Sequence, residues 1–384
     1  MLSKILSESM FIYMSVFIIS IFFTYLAEQS KNKAGVILFS AISILIPVIL
    51  AGLRAWSVGV DVSVYVIPTV RFSLRSANYV EFFENWWGIR EFSSWGVMYF
   101  GAKYLGGLNG SFFMIALIIQ ICVYIGAYRH RKLIPMHRIM ICFFVLFYLN
   151  SFSEVRQNMA TSIVFMGINN LEEGNYKKFM IYAIIASTFH GSAFILSVLL
   201  IVLHFLTSSK FSEEYKPLSK LALFMLVLSM LMVRTVVTAF INYLPDRAHY
   251  LLSDLQQGEK AMVILMSLIF MMMIIFPNRI KHLMKAYKFH KTNFFVCLIY
   301  LSVLQLYNRM MMYSKYVFMI LLASSTEFVR ERNLKGLIKF FMCIVFLLYW
   351  IQQNVTYWGR DISNLPRQLF TYPYISMFER PWNG

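Results

Sequence analysis

Apolar runs of membrane-spanning length recur from one end of this chain to the other. They lie at 10–28, 34–53, 111–128, 138–151, 157–171, 178–190, 191–206, 218–241, 261–276, 293–307, 311–325 and 336–351. In hydrocarbon every backbone N–H and C=O must find its partner inside the protein, which leaves helices and closed barrels as the only spanning forms. Continuous apolar runs without strict alternation select helices. The pattern therefore predicts an all-α, polytopic transmembrane bundle of about twelve helices. Composition agrees, with 59% hydrophobic and 14% charged residues, where soluble domains carry roughly 25% charged. The first run has no small-x-small cleavage site and is followed by further spans, so it reads as a helix rather than a leader. The whole chain, 1–384, reads as a single integral-membrane domain.

The linkers fall into two alternating sets. One carries Lys31 and Lys33, then Arg129, Arg131, Lys132 and Arg138, then Lys177 and Lys178. It continues with Lys210, Lys216 and Lys220, with Arg279 to Lys291, and with Arg330, Arg332 and Lys335. Short loops rich in Lys and Arg face the cytoplasm. The other set, at 54–110, 150–156, 242–260 and 352–384, then faces outward, as do both termini. The segment 178–206 must hold two thin passes that turn near His190 and Gly191, or else one long tilted span. The net charge of +17 is largely these anchors, which favour anionic lipid headgroups, so no nucleic-acid partner is implied. The four cysteines sit in apolar runs without metal spacing and read as small buried hydrophobes. Phosphate-loop, zinc-protease, nucleophile-elbow and dinucleotide signatures are all missing.

Chemistry is then expected at polar residues beside the spans, where ionisable groups are expensive to keep. Four outward clusters stand out. "LRAWSVGVDVSVY" contains Arg54, Gly59, Asp61 and Tyr65; "NSFSEVRQNMATSIVF" contains Glu154, Arg156, Gln157 and Asn158. "STFHGS" contains His190 and Ser192; "LYNRMMMYSKY" contains Asn308, Arg309 and Tyr313. The loop "YLPDRAHY" adds Asp246, Arg247 and His249. Each has a bland reading. A single arginine at a helix end is often a snorkelling anchor, His190 a satisfied turn residue, and Asp61 a helix cap or a partner of Arg54. Against that stands convergence, since Arg54, Arg156 and Arg309 come from distant parts of the chain to one membrane surface. An arginine fork suits a lipid-linked diphosphate and neutralises it without a metal ion. Asp61, Glu154 and His190 are the candidate bases for an acceptor hydroxyl, and their spacing does not rank them.

These residues, in this order, resemble the EpsG family of bacterial polysaccharide polymerases, which is similar to the Wzy-type O-antigen and capsule polymerases. The likeness rests on Arg54 with Gly59, Asp61 and Tyr65, on Arg156, Gln157 and Ala160, and on His190 with Ser192. Asn308, Arg309, Tyr313 and a late "YPY" follow more loosely. The resemblance implies a GT-C-like glycosyltransferase of the inner membrane, with its active site facing the periplasm and no cofactor. It implies transfer of a growing glycan from undecaprenyl pyrophosphate onto a second lipid-linked repeat unit, and admits a chain-length regulator protein as a partner. Arg54, Arg156, Gln157, Arg309, Tyr65, Tyr313 and Arg247 would then hold diphosphate and glycan, with "FFENWWGIREFSSW" (82–95) offering rings for sugar stacking or an interfacial aromatic belt. An O-antigen ligase, a flippase for lipid-linked oligosaccharide and a membrane acyltransferase stay open as alternatives.

Overall fold

Helix α1 (Leu2–Gln29) ends at the turn that carries Lys31, and the Asn32 side chain caps the next helix, α2 (Lys33–Gly52), by accepting the Gly35 N–H at 2.5 Å. Pro47 lies inside α2. It has no N–H to give the Ser43 carbonyl one turn back, an omission a span must repair from elsewhere. Ser20 of α1 makes the repair, its hydroxyl donating to the Ser43 carbonyl at 2.7 Å. Thr24 and Ser43 hydroxyls lie 2.7 Å apart beside it. Small polar groups thus join α1 and α2 where side-chain hydrophobicity alone gives no preference between protein and lipid.

The computed structural model describes residues 2–59, 61–86, 91–209, 213–226, 292–293, 296, 308–325, 332–355, 374–379 and 382. It is all-α, as the apolar runs predict, and no strand occurs among the described residues beyond an isolated bridge between Arg54 and Ser376. Three described helices are long and apolar enough to cross a membrane: Glu8–Gln29 within α1, α2, and α6 (Gly107–His130). Phe11, Ile18 and Phe22 of α1 and Ile37 and Leu38 of α2 are exposed on the outside of the fold, as lipid-facing residues would be. The chain is a multi-pass membrane protein.

The described residues divide into two compact units. The first comprises Met1–Met166, Tyr182–Ala193 and Trp350–Gly384; the second comprises Gly167–Ile181 and Phe194–Tyr349. In the first, the segment 54–110, read from sequence as an outward loop, is mostly helical. A π-helical turn at Val62–Val66 leads into α3 (Ile67–Arg75), followed by α4 (Tyr79–Asn85) and α5 (Phe92–Tyr104). Its apolar residues were too interrupted by Ser, Arg and Glu to read as spans, yet they bury a ring cluster. Phe72 stacks on Trp86 at 4.9 Å and Phe82 lies 5.0 Å from Tyr99. The aromatics of 82–95 therefore serve in good part as core rather than as an interfacial belt. Helix α5 crosses α6 closely through Gly101 and Gly110, where a Cβ on either would run into the other's backbone.

The run 138–151 is shorter as a helix than as an apolar stretch. Helix α7 (Met136–Leu146) stops early, and a single 3-10 turn at Asn150–Phe152 leads into α8 (Val155–Glu172). The segment 178–206 forms two helices, α9 (Tyr176–Ser187) and α10 (Ser192–Ser208), with His190 and Gly191 in the break. In the second unit α10 packs by Leu196, Leu200 and Leu203 around a small apolar cavity shared with Val296 and Tyr313. Tyr313 belongs to α11 (Asn308–Ser324), and α12 (Arg332–Val355) follows. Thr207 and Thr292 hydroxyls meet at 2.9 Å.

Gly59 governs the approach of the Asp61 segment to the turn before α8. Its φ is +111, and a Cβ there would strike the Phe152 carbonyl oxygen. Gly59→Ala is expected to destabilise the fold by about 1–3 kcal/mol from backbone strain alone. Thermal unfolding of the detergent-purified protein would show it, and an unchanged melting temperature would refute it.

Candidate functional site

Arg156 sits in the first turn of α8, and two rings lie against its guanidinium. The guanidinium carbon lies 4.0 Å from the centre of the Tyr65 ring and 4.9 Å from that of Trp95. Tyr65 comes from the π-helical turn after Gly59, and Trp95 from the first turn of α5. Packing of a planar guanidinium on aromatic rings is an arginine property that lysine does not reproduce. Its Nη1 pairs with the Glu91 Oε2, and its Nε is buried with no hydrogen-bond partner among the described residues.

Glu91 is the residue that sequence features did not single out. Among the described residues it is the sole non-glycine with positive φ, at φ 59 and ψ 32, a conformation uncommon for any side chain but glycine. Its position N-terminal to α5 explains how the strain is held. The Glu91 carbonyl accepts the Ser94 N–H at 3.0 Å and the Trp95 N–H at 3.4 Å. Its Oε1 accepts the Gly191 N–H at 3.3 Å and lies 3.9 Å from the His190 Nε2.

The break between α9 and α10 is docked onto the start of α5. Thr188 accepts the Ser93 N–H at 3.1 Å, their hydroxyls meet at 2.7 Å, and the Ser94 hydroxyl donates to the Phe189 carbonyl at 2.7 Å. Those bonds place Gly191, at the N-terminus of α10, beside the Glu91 carboxylate. His190 Nδ1 meets the Ser192 hydroxyl at 2.8 Å. Three positive or hydrogen-donating groups thus converge on one carboxylate: a guanidinium, an imidazole and a backbone amide at the positive end of a helix dipole. The cluster is neither sealed nor open, with Arg156, Glu91 and His190 side chains 16%, 18% and 25% exposed.

Arg54 has different surroundings. It is 1% exposed, its guanidinium carbon 4.0 Å from the Phe112 ring centre and 4.4 Å from that of Phe152. Its Nε and Nη2 have no hydrogen-bond partner among the described residues. Burial pushes the guanidinium down to about 10, with Tyr148, Tyr13 and Tyr374 opposing the shift. Its backbone is pinned, the carbonyl accepting from Asn109 Nδ2 at 3.0 Å and the next N–H, that of Ala55, reaching the Ile375 carbonyl at 2.8 Å.

The other sequence candidates have these places. Asp61 opens the π-helical turn and is half-buried. Glu154 is half-buried before α8, its carbonyl accepting the Asn158 side-chain amide at 2.9 Å. Gln157 is buried on α8. Tyr313 is buried in the second unit, and Arg309 lies in the first turn of α11. Arg247, with the loop 242–260, lies outside the described residues, as does the side chain of Arg309. Arg156, Tyr65 and His190 are brought together around Glu91.

A family model described as the EpsG family matches residues 36–376, a stretch that contains all four residues of this cluster. No curated protein and no solved structure matches the chain.

Proposed function

The chain belongs to the EpsG family, a family of polysaccharide-biosynthesis membrane proteins, and from that premise we propose that it is a bacterial surface-polysaccharide polymerase. It joins repeat units carried on undecaprenyl pyrophosphate at the periplasmic side of the inner membrane. The observation that supports this reading is the Arg156 cluster, in which a guanidinium lying against two rings, an imidazole and a helix N-terminal amide face one carboxylate, that of Glu91. These are the groups a diphosphate leaving group needs.

The reaction is a displacement at an anomeric carbon. A hydroxyl of the acceptor unit forms the new C–O bond, the bond from that carbon to the diphosphate oxygen breaks, and undecaprenyl pyrophosphate departs with the electron pair. Arg156 stabilises the charge that develops on the leaving oxygen. His190 and the Gly191 N–H lie at the same seat. Tyr65 and Trp95 hold the guanidinium in place, so reorganisation during the step is small.

Reconstitution tests the reading. The purified chain in lipid, given a lipid-linked repeat unit, is expected to produce a ladder of chain lengths and one undecaprenyl pyrophosphate per bond formed. The ladder should persist in EDTA. Transfer only onto a lipid A core would make the protein a ligase, and passage of the lipid-linked unit across the membrane without bond formation would make it a flippase. Either result overturns the polymerase assignment.

A further inference from the structure

The Glu91 carboxylate occupies the one seat in this cluster that an anion should fill. It receives the Arg156 guanidinium, the Gly191 N–H at 3.3 Å and the edge of His190 at 3.9 Å. Arg156 has supports besides Glu91, its guanidinium carbon lying 4.0 Å from the Tyr65 ring centre and 4.9 Å from that of Trp95. Glu91 also holds a left-handed backbone, a strained conformation that persists only where surrounding contacts enforce it and that clusters at active sites and ligand clamps.

We infer that Glu91 is the proton acceptor of the transfer and that it fills the diphosphate's seat until the donor arrives. This rests on the polymerase reading of the same site. When the donor binds, its diphosphate, with more charge and more acceptor oxygens than a carboxylate, takes over Arg156 and the Gly191 N–H. Glu91 is displaced from the seat but remains beside it, since its backbone is held by the Ser94 and Trp95 amides. Freed of its arginine, the carboxylate has oxygens open to accept a hydrogen bond from the acceptor hydroxyl. The acceptor hydroxyl gives its proton to Glu91 as its oxygen bonds to the anomeric carbon, and the bond to the diphosphate breaks. Donor binding thereby switches the base on, so an acceptor hydroxyl or water meets an active carboxylate only when a donor is in place.

The test combines two readouts on the full-length purified protein. Glu91→Gln keeps the shape and removes the charge. Inorganic pyrophosphate, titrated calorimetrically, is expected to bind roughly tenfold more tightly to Glu91→Gln than to wild type, because its competitor has lost its charge. Elongation of the lipid-linked unit should fall by about 100-fold or more. Glu91→Gly, which suits the positive φ and so keeps the fold, should show the same opposed changes. Weaker pyrophosphate binding in both variants would make Glu91 a support for Arg156 and overturn the inference. Elongation at the wild-type rate in either variant would equally overturn it. Wild-type protein that binds pyrophosphate yet makes no ladder would instead sink the polymerase reading and leave the seat intact.

Discussion

Arg156→Ala should collapse the polysaccharide ladder to single lipid-linked repeat units, with elongation reduced by about 100- to 1,000-fold. The size follows from what the side chain does. It lies against the rings of Tyr65 and Trp95, it carries the only fixed positive charge among the four residues of the cluster, and its Nη1 meets the carboxylate in the seat. Arg156→Lys should fall nearly as far, since an ammonium neither stacks between the rings nor bonds two oxygens side by side. Loss of fold is the rival explanation, because alanine leaves Glu91 part-buried without its countercharge. The double variant Arg156→Ala with Glu91→Gln removes that problem. It should recover the melting temperature without recovering the ladder. A full ladder from Arg156→Ala would end any role for this arginine in transfer.

Much of this site was legible in the sequence for one physical reason: a charge beside a hydrocarbon segment is costly, so Arg156 and His190 stood out against their apolar neighbours. The break at His190 and Gly191 was half legible, since 178–206 admitted either two thin passes or one long tilted span, and the fold has two helices there. Glu91 was not legible. Its partners lie 65 and 100 residues away, and it follows Glu81 and Glu84, both exposed, in an outward stretch that draws the eye to its aromatic rings. Glu81 does carry a local signal, since Asn78 caps α4 through the Glu81 N–H and Glu81 bonds back to the Ala77 N–H. That is the reciprocal pattern of a capping box. Glu91 has no such signature, and only its left-handed backbone sets it apart. Arg54 shows the opposite limit. Sequence placed it beside Arg156 in kind, whereas the fold encloses it between Phe112 and Phe152, a difference that no spacing within "LRAWSVGVDVSVY" encodes.

That enclosure makes Arg54→Met the most discriminating substitution outside the seat. The guanidinium is held at about 10 by burial, so its charged form is disfavoured in the fold at every lower pH. The penalty is on the order of 3 kcal/mol, and stacking on the two rings returns about 1–2 kcal/mol of it. Methionine fills similar volume without charge, and replacing a buried ion by an apolar side chain is often stabilising. The expected result is a gain of roughly 1–2 kcal/mol in stability, seen as a higher melting temperature in detergent. The sign follows from the titration: wild type is charged throughout the neutral range, so the gain should be constant from about pH 6 to 8 and shrink only as the pH passes about 10. Elongation should nevertheless drop. Arg54 stacks on Phe152, whose carbonyl abuts Gly59 and whose turn leads directly into the first turn of α8, where Arg156 begins its reach to the seat. A protein more stable and less active would mark Arg54 as a charge retained for what it positions. Lower stability would show instead that the buried guanidinium is a net structural support, and unchanged elongation would confine its role to the fold.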